Sequence, residues 1–599
     1  MQFTHSLNEK SFYEIKVSRQ GNKYSTNPGA FRDTSAVITI GGVSLDEGPF
    51  GFFDESSEGV ASGMRMGVGM STARDSSKSS VFTTNFAYTN QLNTFNEFKT
   101  GFEFERMNSQ INYGSYDKML PSGRTTSKWD TNPIRMAFFI QDKLEFEGMI
   151  ANIGLRLTYS DPNINWYAYE DYSDLFADGN AGMLDTMATY DVKPQWVLQP
   201  RLGVSFPITE TSKLFFNYGH FVQLPDPENL YLARVEPFTN TITRLAAPEN
   251  PLPKTVAYEL GYEQGFLEQY LVRITGYYKD LTNQPIQVDY ISRDNFSYSI
   301  SKPYWYEDIR GIELTFQKQR GKIFWGEINY TYSSNTYGFF GTLNNYENSF
   351  EQRQYDRTTA DNDIRRPIPQ PFARLNLVFR SPETFGPSVM ERYPLANWRL
   401  STIISWKAGQ HITYTGRATI PGIQNNLQYR DYWGTTLRLN KKIQLDGGRG
   451  IDFFFDVTNF INRRYMSLSS AGFFDGNDYL DYMESLHLPA DKIAELGLEA
   501  DLIPGDDKPG DYRAAGIEWV PIEPTVDLAN VRNPSERALY YNTLEGQYYQ
   551  YTESGGFMNA DKNYVQKVLD EKAYINMPNQ RYFNFLNPRT FRVGIKFSF

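Results

Sequence analysis

The chain has 599 residues and a net charge of −11 at pH 7, so it lacks the basic surface that a nucleic-acid partner requires. Cysteine is absent, which excludes a disulfide framework, a thiol nucleophile and a thiolate metal site. A mean hydropathy of −0.53 and the lack of any apolar run near about 18 residues exclude a transmembrane helix. A transmembrane β-barrel stays open, because the face that lines its interior is polar.

Alternation of apolar and polar residues recurs along the chain, and it predicts strands with one apolar and one polar face. Examples are 97–105, 149–159 and 398–407, and strands of roughly ten residues suit a tilted membrane crossing. The segment 589–599 alternates without a break and ends on an aromatic residue. Its apolar members are Phe591, Val593, Ile595, Phe597 and Phe599. This pattern predicts the strand that closes an outer-membrane barrel.

Connections between the predicted strands alternate between short turns and long loops, as in outer-membrane barrels, whose long loops lie outside the cell. The long connections are 20–78, 108–133, 161–193, 225–252, 281–303, 341–369, 409–428 and 465–588. About seventeen strands are predicted, and the first, 1–7, descends to the periplasm as the last one does. Because a closed barrel with both termini on one side needs an even number of strands, we expect further strands upstream of this sequence.

Four motifs resemble, in the same order, those of TonB-dependent outer-membrane receptors. They lie at 135–143 with 152–156, at 200–207 with 214–219, at 250–255 with 258–262, and at 456–460 with 462–465. Lys254-Thr255 stands where that family often has Pro-Glu. The form of these motifs resembles that in Bacteroidota receptors that carry a carboxypeptidase-regulatory-like N-terminal domain. The resemblance implies that 1–599 is the C-terminal part of a barrel of about 22 strands, truncated at its N-terminus and without the plug.

The same resemblance implies a receptor in the outer membrane of a Gram-negative bacterium. External loops and the plug would capture a scarce or large solute, such as a siderophore or an oligosaccharide. The TonB–ExbB–ExbD system would then act on the plug to admit that solute. Further implied partners are outer-membrane lipid, lipopolysaccharide and the barrel-assembly machinery, and the sequence leaves open whether a surface lipoprotein also binds. No enzymatic activity and no cofactor are expected.

Three other functions stay open for a barrel of this kind. A passive, porin-like channel would need fewer strands and an inward-folded loop. A non-transport surface-binding barrel would carry charges at mid-strand on its outward face. The residues predicted to face outward are almost free of charge, which counts against this alternative. A barrel enzyme ranks third, because the chain has only four histidines and no evident nucleophile.

Candidate chemical groups are sparse. His220 and His411 lie near the predicted extracellular rim, where a protease would need them, but rim residues without a catalytic role are the favoured interpretation. Asp475, Asn477 and Asp481 are weak calcium candidates, since Gly476 comes second rather than sixth in the run. Three further carboxylates follow one another in the 161–193 loop: Asp171, Asp174 and Asp178. Solvated loops are favoured over bound Ca²⁺ in both places.

The connection 465–588 before the last strand is the longest, and we expect it to be an extracellular insertion. Its stretch 491–500 has a locally helical pattern. A dense group of tyrosines follows: Tyr540, Tyr541, Tyr548, Tyr549 and Tyr551. These rings could stack on sugars or pack the loop upon itself, and the sequence favours neither. The substrate-binding residues are not identified by the sequence.

Overall fold

The computed structural model describes residues 1–26, 38–40, 43–45, 59–60, 64–65, 74–115, 125–236, 239–294, 296–319, 321–359, 364–365, 368–389, 393–409, 411–412, 427–428, 431–444, 449–462, 520, 522–572, 575–576 and 589–598. The chain divides into two compact units. The first comprises Met1–Asp54, Val68–Leu314 and Ser333–Arg366. The second comprises Glu55–Gly67, Thr315–Tyr332 and Pro367–Phe599.

Seventeen strands, all of nine residues or more except the seven-residue β1, follow one another through the described part of the chain, and the alternation predicts about that number. They are β1 (Gln2–Asn8), β2 (Ser11–Lys23), β3 (Lys78–Gln91), β4 (Asn96–Ser115), β5 (Ile134–Phe146), β6 (Met149–Asp161), β7 (Gln195–Thr209), β8 (Ser212–Val222), β9 (Lys254–Phe266), β10 (Tyr270–Ile291), β11 (Ser297–Lys318), β12 (Phe324–Phe339), β13 (Phe372–Arg380), β14 (Trp398–Lys407), β15 (Tyr432–Gln444), β16 (Gly450–Thr458) and β17 (Thr590–Ser598).

In the first unit, β1 to β10 form an antiparallel meander in which each strand pairs with the next one in sequence. The register keeps like residues on one face. Phe102, Phe138 and Leu157 lie side by side on β4, β5 and β6, and this is the apolar face. One residue along, Arg156 lies opposite Phe139 on the other face, which we call the polar face. A slip of one residue would exchange the two faces, so the alternation fixes the register.

In the second unit, residues 324–331 of β12 and the strands β13 to β17 form an antiparallel meander, each paired with the next. The predicted terminal strand is present as β17. Its apolar residues are exposed opposite the apolar residues of β16: Phe591, Val593, Ile595 and Phe597. Phe599 lies outside the described residues, and the closing role of this strand stays a prediction.

Glycines on the polar face make room for aromatic rings. A Cβ on Gly261 would lie 2.6 Å from Cε1 of Phe215, which stands opposite it on β8. The same relation joins Gly101 to Phe139. Because the ring covers the glycine backbone, a larger residue at either glycine would displace the ring.

The structure corrects one predicted loop. The connection 281–303 is mostly strand, because β10 runs to Ile291 and β11 begins at Ser297, and each is 22 residues long. Burial explains the difference, since Val288, Tyr298 and Ile300 are enclosed by neighbouring loops. The connection between β13 and β14, residues 381–397, is long, on the side where the turns are otherwise short.

Shorter elements lie within the connections. The α-helices are α1 (Pro227–Tyr231), α2 (Ser349–Thr359) and α3 (Lys562–Lys572), and the 3-10 helices are Asp174–Phe176, Ala181–Asp185 and Leu528–Asn530. The short strands are Ile38–Ile40, Val43–Leu45, Gly59–Val60, Met64–Arg65, Arg74–Asp75, Thr125–Thr131, Asn165–Tyr167, Thr189–Asp191, Ala233–Glu236, Thr241–Leu245, Asn344–Tyr346, Ile364–Arg365, His411–Ile412, Leu427–Gln428, Ile522–Thr525, Leu539–Asn542, Gln547–Thr552, Gly556–Asn559 and Ile575–Asn576. Among the described helices, none has the length and apolar character needed to span a membrane.

Candidate ligand-binding surfaces

Long loops of the first unit pack together into one body, which we call the loop cluster. Its buried members come from the two loops that follow β6 and β8 and from the ends of β10 and β11 that meet them. They are Trp166, Leu175, Phe176, Ala181, Val192, Ile242, Leu245, Ala246, Ala247, Val288, Tyr290, Tyr298 and Ile300. Because segments distant in sequence share this core, the loops hold one another in place.

Stacked aromatic rings occupy the centre of the loop cluster. The rings of Phe176 and Tyr298 are parallel within 3°, with centroids 3.5 Å apart. The ring of Tyr290 stacks on that of Tyr298, with the two centroids 5.3 Å apart. Tyr169 meets Phe176 edge-on at 5.6 Å. Rings in these arrangements contribute about 0.5–1.5 kcal/mol per pair beyond their burial, so this stack gives the loops a rigid base.

Burial also sets the charge of the cluster. It raises the pKa of Tyr169, and the nearby Asp171 carboxylate raises it further. The same two causes raise the pKa of Tyr172. Both phenols, which are neutral at physiological pH even at their ordinary pKa of about 10, therefore stay neutral to still higher pH.

The polar face of the second unit carries rows of charge that cross three strands. Arg438 on β15, Asp456 on β16 and Arg592 on β17 stand in one row. Arg438 holds Asp456 with two parallel hydrogen bonds of 2.5 and 2.6 Å, the bidentate geometry that guanidinium and carboxylate prefer. Lys442, Asp452 and Lys596 form a second row of the same kind, cation–anion–cation.

These rows border a cavity of about 1150 Å³, which we call the polar-face cavity. Five cationic and three anionic side chains line it, so its charge is net positive. The charged lining residues are Arg380, Arg399, Arg438, Lys442, Arg592, Glu383, Asp452 and Asp456. Arg380 and Arg399 stand directly opposite each other on β13 and β14. An anionic group would be attracted to this surface.

The first unit has a comparable row on its own polar face. Glu263 on β9 lies between Lys213 on β8 and Arg273 on β10, at 3.0 Å from Lys213 Nζ and 2.5 Å from Arg273 Nε. Nearer the start of the meander, Arg156 donates to Glu103. Charges along the polar faces are thus largely held in fixed rows, which gives a hydrated wall of defined charge pattern.

A separate small body forms within the last long connection. Residue 520 and residues 522–572, which we call the last-loop body, contain four short strands and α3 around a core of their own. The tyrosines pack this body upon itself: Tyr540 is 1% exposed, and the rings of Tyr541 and Tyr548 lie 4.8 Å apart. Of the two interpretations of this aromatic group, the structure favours packing over an open sugar-stacking platform.

The two histidines near the predicted rim have the following surroundings. The Nε2 atom of His220 lies 2.6 Å from the hydroxyl of Tyr218 on the same strand. His411 lies in a short strand after β14, and its Nδ1 is buried without a hydrogen-bond partner in the described residues.

The calcium candidates divide into two groups. Asp475, Asn477 and Asp481 lie outside the described residues, as does the predicted helix 491–500. In the 161–193 loop, the Asp178 carboxylate accepts from the Thr241 hydroxyl at 2.7 Å. Among described residues, no three His, Asp or Glu side chains come together as metal ligands. Asp171, Asp174 and Asp178 are thus not gathered into such a cluster.

Comparison with known proteins identifies the class. Residues 1–460 match the family described as TonB dependent receptor-like, beta-barrel, and the chain belongs to this family. Its members are transport receptors of the outer membrane of Gram-negative bacteria. The fold is accordingly all-β, that of a transmembrane antiparallel β-barrel. No curated protein sequence matches the chain.

Several solved structures are similar in fold. The ferric-catecholate import receptor Fiu of E. coli K12 has a TM-score of 0.46 at 14% identity, over 79% of this chain and 60% of that one. The copper transporter OprC has 0.45 at 10% identity, over 78% and 59%. The siderophore receptor PiuA of Acinetobacter baumannii has 0.44 at 11% identity, over 78% and 60%. The chain therefore spans about three fifths of the length of these structures.

Proposed function

We propose that this chain forms the wall and external loops of an outer-membrane receptor for TonB-energised uptake of a scarce or large solute. The observation that carries the proposal is the family match over residues 1–460, which includes most of the strands. The loop cluster and the rows of charge on the polar faces support it. A siderophore, an oligosaccharide or a similar solute would suit such a receptor.

In the proposed mechanism, the loop cluster takes part in capture, because its packed core holds side chains in fixed positions outside the wall. The polar face of the strands then offers a hydrated, charged path to the solute. The apolar face contacts lipid and lipopolysaccharide. Energy coupling to TonB–ExbB–ExbD is proposed to act through the plug of the receptor.

Conductance separates this function from a passive channel. The native protein, purified from the outer membrane and inserted in a planar lipid bilayer, should remain electrically silent because a receptor lumen is occluded. Exposure to urea should then unfold the plug that occludes the lumen, so that the same bilayer shows steady conductance. Steady conductance before urea would favour the porin-like alternative and contradict the proposal.

A further inference from the structure

Two arginines face each other at the edge of the loop cluster. Arg234 lies on the short strand Ala233–Glu236 and Arg244 on Thr241–Leu245, and the two residues are direct partners across this antiparallel pair. Like charges directly opposite each other destabilise a pair of strands. We call these two residues the arginine pair.

A single carboxylate neutralises the arginine pair in part. The Oε2 atom of Glu228, on α1, lies 3.2 Å from Nη1 of Arg244 and 4.0 Å from Nη2 of Arg234. The side-chain oxygen of Asn229 accepts from Nη2 of Arg244 at 3.1 Å. Glu228 therefore pairs with both arginines at once.

Two N–H donors of the arginine pair have no hydrogen-bond acceptor in the described part of the chain. In the described part of the chain, the Nε atoms of Arg234 and Arg244 are both buried without a hydrogen-bond partner. The hydroxyl of Tyr231, three residues before Arg234, is also buried and unpartnered. Buried donors in folded proteins are almost always satisfied, and leaving one unmade costs about 1–3 kcal/mol. The Oε1 atom of Gln287, whose amide donates to Asn229, is buried without a partner as well, so several polar groups around the arginine pair are unsatisfied among the described residues.

Deprotonation cannot relieve this arrangement. Burial lowers the pKa of Arg244, and the Arg234 charge lowers it further, while Glu228 opposes the change. A guanidinium nevertheless stays cationic in proteins across the physiological range. The arginine side chains retain 29% and 20% of their exposure although their Nε atoms are buried, so an acceptor from solvent reaches the Nη groups.

We propose that the arginine pair binds an oxyanion, a carboxylate or phosphate group of the ligand, through charge-assisted hydrogen bonds. Guanidinium groups suit this chemistry because their planar fork matches two oxygens at once. The inference deepens the proposed function, since it gives the captured solute an anionic group. The polar-face cavity of the second unit has a positive charge of its own, which agrees with an anionic solute.

Inorganic phosphate is the probe for this site. The native receptor, in detergent free of lipopolysaccharide, is titrated with sodium phosphate against sodium chloride of equal ionic strength. Hydrogen exchange is followed at residues 227–236 and 239–247. Bound phosphate should slow this exchange by the factor 1 + [L]/Kd, about 100-fold at 100 times Kd, whereas chloride should not. Equal exchange in the two salts would overturn the proposal.

Three variants sharpen the test. Arg234→Gln should abolish the phosphate effect, because one of the two guanidinium groups of the arginine pair is lost. Glu228→Gln should lower the phosphate midpoint, because the competing carboxylate is removed. Arg293→Gln is the matched control: this loop arginine is 67% exposed and lies 4.0 Å from Glu347, and its loss should leave the midpoint unchanged. Protection retained in Arg234→Gln, or an unchanged midpoint in Glu228→Gln, would contradict an oxyanion site.

The oxyanion has two candidate sources, a soluble solute and the phosphates of lipopolysaccharide. Adding purified lipopolysaccharide at fixed phosphate distinguishes them. A phosphate midpoint that rises assigns the site to the lipid, and an unchanged midpoint assigns it to a soluble solute. The assay needs no TonB energy, so phosphate binding stands or falls independently of uptake.

Discussion

Replacing Phe176 with alanine should open the whole loop cluster. The Phe176 side chain is fully buried and lies between Tyr298, stacked at 3.5 Å, and Tyr169, edge-on at 5.6 Å. A Phe→Ala change in a packed core costs about 3–5 kcal/mol. Since about 1.4 kcal/mol corresponds to a factor of ten, exchange of protected amides should accelerate by about two to four orders of magnitude.

Hydrogen exchange at a distant amide makes this prediction specific. The backbone N–H of Ala246 donates to Leu232 O at 2.7 Å, in a loop other than that of Phe176. If the cluster is one cooperative body, this amide should accelerate together with Val192, whose N–H donates to Ile164 O. The amides paired between β5 and β6 should not change.

A control and a second variant complete the design. Phe350→Ala removes a ring that is 68% exposed on α2, and it should change exchange in the cluster very little. Tyr298→Phe keeps the stacked ring but removes a buried hydroxyl that has no partner in the described residues, so it should slow exchange or leave it unchanged. Acceleration confined to residues 170–180 in Phe176→Ala would refute a common core.

Three further changes test the wall and the last-loop body. Gly261→Ala should destabilise the wall by about 1–3 kcal/mol in urea unfolding from lipid vesicles, because the Phe215 ring must move, whereas Gly276→Ala, whose Cβ would meet only Leu260 O at 4.0 Å, should not. Ile404→Arg should lower the free energy of unfolding by about 2–4 kcal/mol, because it places a charge on the apolar face near the middle of the membrane. Ile403→Arg, on the polar face of the same strand, should lower it much less, and equal losses would contradict the assignment of the two faces. Leu539→Ala should cost about 2–5 kcal/mol and expose residues 522–572 to limited proteolysis, while Leu544→Ala, at a side chain 77% exposed, should leave them resistant.

The strands of the wall could be predicted from the sequence because each carries its own signal. Alternation with period two assigns residues such as Phe102 and Glu103 to opposite faces without knowledge of the partner strand. The order of strands follows as well, since short turns leave adjacent strands little choice but to pair. Local pattern therefore specified the meander and the short turns between its strands.

The loop cluster could not be predicted in this way. Its core joins Phe176 to Tyr298, residues far apart in sequence, and neither segment shows a periodic pattern. The prediction of a loop at 281–303 was wrong for the same reason. Burial against other loops keeps β10 and β11 extended there, and this burial has no signal in the local sequence. The one available signal was the density of tyrosine in 166–172 and 290–306.

The arginine pair was missed for a related reason. Arg234 and Arg244 are ten positions apart in a stretch without motif, and only their pairing across two short strands makes them neighbours. The tyrosines of the last-loop body were visible in the sequence, but the choice between sugar stacking and self-packing depended on burial. Tyr540, at 1% exposure, shows why composition alone could not decide.

Solute uptake by intact cells tests the central claim most directly. Spent medium is compared by mass spectrometry after growth of the parent strain, a strain lacking this receptor and a strain lacking TonB. The account predicts a solute that the parent removes and that both deletion strains leave behind. A solute left behind without the receptor but still imported without TonB would contradict energised uptake, and an identical spent medium from the parent and the receptor-deletion strain would contradict uptake altogether.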